Sequence, residues 1–147
     1  MKRTTIMWLV LSSALLVPVS SYAQVSCTRG GLQNAVDLYL DAQTKGDISG
    51  LPLANAVAYQ ENIAYADIKT GIVNKAMVID HHMSIFDEDS CQSFTEVIVT
   101  DKNAPYVLAT RMRVNHEKIA ELEVLWTTTG YWLFNADAYL QYSSSED

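Results

Sequence analysis

A tyrosine near the end of the first helical pattern could take part in acid–base chemistry. Between residues 28 and 44 the apolar positions recur every three or four residues, which indicates one amphipathic helix with Tyr39 on its apolar face. A phenol inside a protein can donate a hydrogen bond to a carbonyl oxygen. A core tyrosine whose hydroxyl reaches backbone or solvent would give the same pattern, and both interpretations stay open at this point.

A histidine on an apolar strand face is the second such residue. From residue 77 the pattern changes to period two, and His81 is the polar member of a face otherwise made of Met77, Ile79, Met83 and Ile85. The pKa of an unperturbed imidazole suits proton transfer, although a hydrogen-bonded core histidine would look the same. His82 points to the opposite face and forms no metal pair with it, and no Cys/His spacing fits zinc. The sequence predicts neither a metal nor a cofactor.

The elements that must position these residues follow the order of an α+β domain. After the first helix, Gly46 is a stop signal and Asp47 can cap a short helical turn through Leu51. A short strand is predicted at 55–63 and a short helix or helical connection at 66–76. Four strands then follow in an antiparallel meander, beginning at residue 77 and continuing at 91–100, 106–114 and 119–129. The expected fold is a curved antiparallel sheet with helices packed on one face.

The N-terminus has the features of a secretory signal peptide. Lys2 and Arg3 precede an apolar run that is too short for a membrane span, and Ser21 and Ala23 have the spacing of a cleavage site. We therefore predict a signal peptide at 1–23, one domain at 24–147 and a secretory or secreted location. Without Lys2 and Arg3 the chain has 8 basic and 17 acidic residues, a net charge of −9. Such a surface disfavours nucleic acid and anionic membranes as partners.

Both cysteines, Cys27 and Cys91, lie in the predicted mature chain. An even count in a secreted protein favours one disulfide between the N-terminus and the middle of the fold. Two free buried thiols or a cysteine nucleophile are the alternatives. Neither cysteine has an activating base or a basic cluster near it in sequence, as a nucleophile would need. The chain also lacks a P-loop, a dinucleotide-binding glycine motif and a G-x-S-x-G motif.

The stretch LYLDAQTKGDISGL at 38–51 resembles the first helix of ketosteroid isomerases in the NTF2-like superfamily. In that helix an aromatic-apolar-x-Ala sequence runs into a Gly-Asp-x-x-Gly turn, matched here by 39–42 and by Gly46, Asp47 and Gly50. The stretches YVLATRMRV and KIAELEVLW are similar to the superfamily's last two strands. CTR, RMRV, KIAE and WLFNADAYL are similar to secreted fungal members found in secondary-metabolite clusters. The resemblance implies an NTF2-like cone, a curved sheet wrapped around N-terminal helices with an apolar interior.

The resemblance also implies roles for particular residues. Tyr39 matches the helix tyrosine that donates a hydrogen bond to the substrate, and Thr110 matches the aspartate of the oxyanion hole. Glu61 is the carboxylate nearest to the base position, with Gln60 and Asn62 as alternatives. Threonine can donate a hydrogen bond but is not an acid, so steroid isomerisation is not predicted. His81 is a further acid–base candidate, and the expected pocket-wall residues are Met83, Met112 and Trp126.

The implied function is a cofactor-free isomerase or cyclase acting on a small apolar carbonyl compound. Fungal relatives of this kind have been linked to cyclising or coupling reactive intermediates, including the anhydride monomers of maleidrides. Such a reaction needs one base, one or two donors to the developing oxyanion and a shaped apolar cavity. The alternative is a non-catalytic secreted module that binds a ligand or dimerises. A third hypothesis is a secreted effector that acts on a protein of another organism. A homodimer through the sheet face that carries Arg111, Arg113, Glu121 and Glu123 is predicted, and the alternative is a monomer whose charged face is solvated.

Overall fold

The computed structural model describes residues 25–145, so the predicted signal peptide at 1–23 lies outside the described residues. The fold is α+β, as predicted, with an open six-stranded sheet. Its helices are α1 (Arg29–Lys45) and α2 (Ala136–Ser143), and a short 3-10 turn spans Ile72–Asn74. Its strands are β1 (Leu53–Glu61), β2 (Ala64–Tyr65), β3 (His81–Asp87), β4 (Gln92–Val99), β5 (Tyr106–Asn115) and β6 (Lys118–Thr128).

The sheet has the strand order β2-β1-β6-β5-β4-β3. Strands β3 to β6 form the predicted antiparallel meander, but β1 pairs with β6 in parallel. The sheet is therefore mixed, and the prediction of a purely antiparallel sheet is wrong. The connection between β1 and β6 passes through the whole meander, which leaves β2 and β3 as the two edges.

Helix α1 packs against the sheet and defines what we call the inner face, the face that carries Thr110. The helix begins at its cap Thr28, whose hydroxyl accepts a hydrogen bond from the amide of Gly31 at 3.1 Å. It ends at Gly46, which has the left-handed φ of 65° that glycine adopts without strain. The buried side chains of the helix meet those of the sheet in one apolar core. The outer face, which carries Arg111, lies on the other side of the sheet.

The predictions for the connections hold only in part. The 66–76 segment contains the three-residue 3-10 turn, which fits the predicted helical connection. Asp47 caps a single turn through Leu51, as predicted, since its carboxylate accepts a hydrogen bond from the Ser49 amide at 2.9 Å. The Leu51 amide donates to the Ile48 carbonyl at 3.0 Å, but this turn is not a helix. Helix α2 was not predicted; its Tyr139 and Ser143 donate hydrogen bonds to Glu96 on the outer face. The helices therefore lie on both faces of the sheet.

The outer face carries a network of ion pairs on neighbouring strands. Arg111 contacts Glu123 at 2.9 Å and Glu121 at 3.0 Å, and Arg113 also pairs with Glu121. The hydrogen bond from Arg113 is the main cause that lowers the pKa of Glu121. These charges thus pair across strands within one chain. No helix in the described part of the chain is long and apolar enough to cross a membrane.

The predicted Cys27–Cys91 disulfide is present, with the two Cα atoms 4.8 Å apart. It joins the residues before α1 to the turn before β4, across 64 positions of sequence. Closing a loop of this length restricts the unfolded chain strongly.

We expect the Cys27→Ser/Cys91→Ser double variant to lose roughly 2–4 kcal/mol of unfolding free energy, because the unfolded chain regains the entropy of the open loop. Urea unfolding followed by circular dichroism measures the change, with the oxidised protein as reference. An unchanged unfolding midpoint at an unchanged slope would contradict this expectation.

Candidate functional site

Tyr39 and Thr110, which the resemblance assigns to one site, are in direct contact on the inner face. The Tyr39 hydroxyl lies 2.8 Å from the Thr110 hydroxyl, and each residue is 1% exposed. Burial raises the pKa of Tyr39 to about 12, and the hydrogen bond with Thr110 offsets part of that effect. A buried phenol with a raised pKa keeps its proton, so Tyr39 is suited to donate a hydrogen bond rather than to release a proton.

Gln43 determines the direction of the hydrogen bonds around Tyr39. This residue is fully buried, and its Nε2 donates to the carbonyls of Ile72 at 3.1 Å and Lys75 at 2.8 Å. Because both amide hydrogens are used, Oε1 must be the atom that faces the Tyr39 hydroxyl, 3.4 Å away. Tyr39 then donates to Gln43, and Thr110 donates to Tyr39. The long bond to Gln43 is the weakest link of this chain.

Glu61, the candidate base, lies at the end of β1 with its carboxylate held by three donors. Its Oε1 accepts hydrogen bonds from the Tyr59 hydroxyl and from the Ile72 amide, both at 2.5 Å. Its Oε2 accepts a hydrogen bond from Nε1 of Trp126 at 3.2 Å. Burial, followed by the hydrogen bond and the charge of Glu61, raises the pKa of Tyr59 well above its ordinary value. The carboxylate could take a proton from another molecule only if one of these bonds gave way.

The donor pair and the carboxylate lie on the same face of the sheet. Strand register aligns Glu61 with Val124, and Val124 with Thr110. Two strand spacings of about 4.8 Å put the backbones of Glu61 and Thr110 roughly 10 Å apart. Tyr59 is on this face too, because it pairs with Leu122, and its hydroxyl bonds Glu61. The tyrosines, Thr110 and Glu61 therefore form one polar group inside an apolar core.

Residues 66–76, which we call the cover segment, close this part of the inner face. Val73 of the segment is 1% exposed and packs into the core, and Gly71 lies against the Tyr59 hydroxyl and Glu61. The segment ends at Lys75 and Ala76, where the Lys75 amine donates to the Tyr106 hydroxyl at 2.6 Å. Five surface cavities of the described residues are lined by side chains other than Tyr39, Thr110 and Glu61. With the segment in place, Tyr39 and Thr110 are buried and Glu61 is half-buried.

His81 and Met83 lie elsewhere than expected. Register pairs His81 with Ile98 and Met83 with Glu96, on the face opposite Thr110. Met83 is 46% exposed, and His81 lines a surface cavity of about 450 Å³ between α1 and the start of β3. Neither side chain is on the wall that carries Tyr39. The residues of β3 on the inner face are instead His82, Ser84 and Phe86.

Of the remaining expected wall residues, Met112 and Trp126 do lie on the inner face. Met112 is 1% exposed and pairs with Leu122, and Trp126 pairs with Leu108. Trp126 also bonds Glu61, so it orients the candidate base as well as filling space. Neither Gln60 nor Asn62, the alternatives to Glu61 as the base, is in the position of Glu61. Gln60 has the opposite orientation on β1, and the Asn62 side chain accepts a hydrogen bond from the Trp126 amide.

Two residues of the site were missed in the sequence, and both stand at a regular spacing from one that was found. Gln43 comes four residues after Tyr39, which puts the two side chains on one face of α1. Tyr59 comes two residues before Glu61, which puts both on one face of β1. The periodicity could have indicated both. What it could not indicate is that they would bond the cover segment.

Comparison with models of known protein families gives no match, and comparison with curated proteins gives none either. Among the described residues, no group of three or more histidine, cysteine, aspartate or glutamate side chains could hold a metal ion. The arrangement of the inner face therefore has to be interpreted from its own geometry.

The raised pKa of Tyr39 predicts a pH dependence of stability. Between about pH 10 and 12 the unfolded phenol has lost its proton and the folded one has not, so the unfolding free energy falls as pH rises. This contribution is fully present below pH 10 and is lost by about pH 12. Tyr39→Phe should therefore reduce the slope of unfolding free energy against pH by about one proton in that range.

Urea unfolding at several pH values between 9 and 12 measures this slope. Tyr65→Phe is the matched control, because the Tyr65 side chain is 81% exposed and its removal should leave the slope unchanged. If the slope of Tyr39→Phe equals that of the unmodified protein, the phenol is not buried as described.

Proposed function

We propose that the protein is a secreted NTF2-like enzyme of the ketosteroid-isomerase-like type, acting in fungal secondary metabolism. It removes a proton from a small polyketide or terpenoid carbonyl compound without a cofactor and drives isomerisation, cyclisation or a dimerising coupling of the maleidride type. The observation that carries the proposal is the contact between the Tyr39 and Thr110 hydroxyls on the same face as the Glu61 carboxylate. One carboxylate and a hydroxyl pair are the groups that enolate formation requires.

The roles follow from the hydrogen bonds. Glu61 takes the proton from the carbon beside the carbonyl, and the electron pair of that C–H bond moves to the carbonyl oxygen to form an enolate. The Tyr39 hydroxyl, itself receiving a hydrogen bond from Thr110, turns from Gln43 to this oxygen. Return of the proton to a different carbon gives isomerisation, whereas attack of the enolate carbon on an electrophile gives cyclisation or coupling. The substrate must displace the cover segment to reach these groups.

Deuterium exchange tests the proton abstraction without knowledge of the natural substrate. The unmodified protein should accelerate exchange of the acidic C–H of 2-tetralone in D₂O, followed by NMR. Glu61→Gln removes the basicity and should abolish the acceleration, and Tyr39→Phe should lower it by about 10²–10³-fold, as for loss of one oxyanion donor.

Glu88→Gln is the control for these variants, because Glu88 is an exposed carboxylate in the turn before β4. It should exchange the ketone as fast as the unmodified protein. Exchange that survives Glu61→Gln at the original rate would remove Glu61 as the base.

The outer face favours a second candidate, a non-catalytic module that dimerises. Large apolar side chains flank the Arg111 ion-pair network there, with Ile85 62% exposed and Phe94 43% exposed on one side and Leu125 44% exposed on the other. Large exposed apolar side chains with a polar group among them commonly mark an interaction site. The ion pairs at the centre are already satisfied within the chain, so a second copy could cover them without leaving an unpaired charge.

Light scattering should therefore give the mass of two chains at micromolar concentration. The Ile85→Glu/Phe94→Glu double variant places carboxylates in the apolar surface and should give the mass of one chain with an unchanged circular dichroism spectrum. Val78→Glu is the control, since Val78 is 73% exposed and lines a different cavity from these residues. A single-chain mass for the unmodified protein would contradict the dimer.

A further inference from the structure

The backbone of Ile72 is hydrogen bonded from two sides by side chains of two different elements. Its amide donates to Glu61 of β1 at 2.5 Å, and its carbonyl accepts from Gln43 of α1 at 3.1 Å. A half-buried carboxylate and a fully buried amide side chain thus bind the donor and the acceptor of a single residue, whose nitrogen and oxygen are separated by three bonds. Buried polar groups of this kind must be satisfied, and here a piece of the chain itself satisfies them.

The cover segment is attached to the rest of the fold by apolar contacts and by hydrogen bonds. Val73 is its deeply buried apolar anchor, and Ile68 and Ile72 pack against the core as partly buried side chains. The Ala66 amide donates to the Tyr59 carbonyl at 3.2 Å, the Lys75 carbonyl accepts a second bond from Gln43 at 2.8 Å, and the Lys75 amine donates to the Tyr106 hydroxyl. The segment contributes no strand to the sheet, and its only regular structure is the 3-10 turn Ile72–Asn74. Its displacement would leave the pairing of all six strands intact.

We propose that Glu61 and Gln43 form a ligand site that Ile72 occupies in the closed protein, and that the cover segment is a displaceable lid over it. The ligand that replaces Ile72 carries a hydroxyl or N–H donor on the atom next to a carbonyl, with an apolar body in the place of Val73. Its donor bonds Glu61 and its carbonyl bonds Gln43. This inference rests on the proposed function in one respect, that the ligand binds at the inner face. The test below measures binding without turnover, so it does not depend on catalysis.

Gly71 offers a way to displace the lid while Glu61 and Gln43 themselves stay unchanged. A Cβ on Gly71 would lie 2.5 Å from Oε1 of Glu61 and press against the Tyr59 hydroxyl. The φ of Gly71 is −72°, so alanine strains no backbone and only the contact with the site is affected. Gly50→Ala is the matched control, because its Cβ would have open space around it.

The probe is 2-hydroxyacetophenone, whose hydroxyl stands beside its carbonyl, and its partner is 2-methoxyacetophenone, which lacks the donor. NMR titration should show that Gly71→Ala binds the hydroxyl compound at least tenfold more tightly than the unmodified protein or Gly50→Ala. The methoxy compound should bind all three proteins equally weakly. Equal binding of the hydroxyl compound by Gly71→Ala and Gly50→Ala, or equal tightening for both compounds, would overturn the proposal.

Val73→Ala is the second variant, in case Gly71→Ala does not fold. It shortens the apolar anchor of the lid and leaves Glu61 and Gln43 in place, so it should also tighten binding of 2-hydroxyacetophenone, by about fivefold. Unchanged binding in this variant would overturn the proposal as well. Tight binding without deuterium exchange would reject the enzyme and keep the site, whereas exchange without the tighter binding would reject the site and keep the enzyme.

Discussion

The two-sided hydrogen bonding of Ile72 is the constraint on which the closed interior depends. It joins the end of α1, the end of β1 and the cover segment through Gln43 and Glu61. Displacing the segment would expose Val73 and break its hydrogen bonds to Glu61, Gln43 and Tyr106. The interior is therefore closed in nearly all molecules, and a ligand opens it only when its binding energy exceeds the cost of these lost contacts.

Several polar side chains are accommodated in the apolar core because each of them has a hydrogen-bond partner. The Tyr39 and Thr110 hydroxyls bond each other, Gln43 uses both amide hydrogens, and Glu61 accepts three donors. A buried hydrogen-bond network is stable only when every member has a partner. Breaking one bond leaves a buried donor or acceptor unsatisfied, which costs free energy. The weak member, the 3.4 Å bond from Tyr39 to Gln43, is also the place where a carbonyl oxygen can enter at least cost.

The sequence allowed the meander and the helix to be predicted because both have a clear periodicity, and it paired Cys27 with Cys91 correctly. It misled on β3. Met83 and Ile85 are the more apolar members of that strand, but its faces are set by pairing with β4, whose Thr95 faces inward opposite Ser84. The hydroxyls of Ser84 and Thr95 bond each other there at 3.0 Å, so Ser84 faces inward and is less exposed than Met83 and Ile85.

The parallel pairing of β1 with β6 could not be predicted either, because it depends on contacts between residues some 60 positions apart. That pairing is what brings Glu61 level with Thr110. The resemblance implied that Tyr39, Glu61 and Thr110 share one site. Strand register puts Glu61 and Thr110 on one face of the sheet, and Tyr39 of α1 contacts Thr110 there. It could not say that the protein's own backbone would fill the space between α1 and the end of β1.

Native-state hydrogen exchange tests the central claim, that a ligand site lies beneath a separately opening segment. In the unmodified protein the amide of Ile72 should exchange through an opening several kcal/mol cheaper than global unfolding, with a weak dependence on added denaturant. The amides of β5 should exchange only through global unfolding. If the Ile72 amide and the β5 amides exchanged with the same free energy and the same denaturant dependence, the segment would be part of the core and the account of a lid would be wrong.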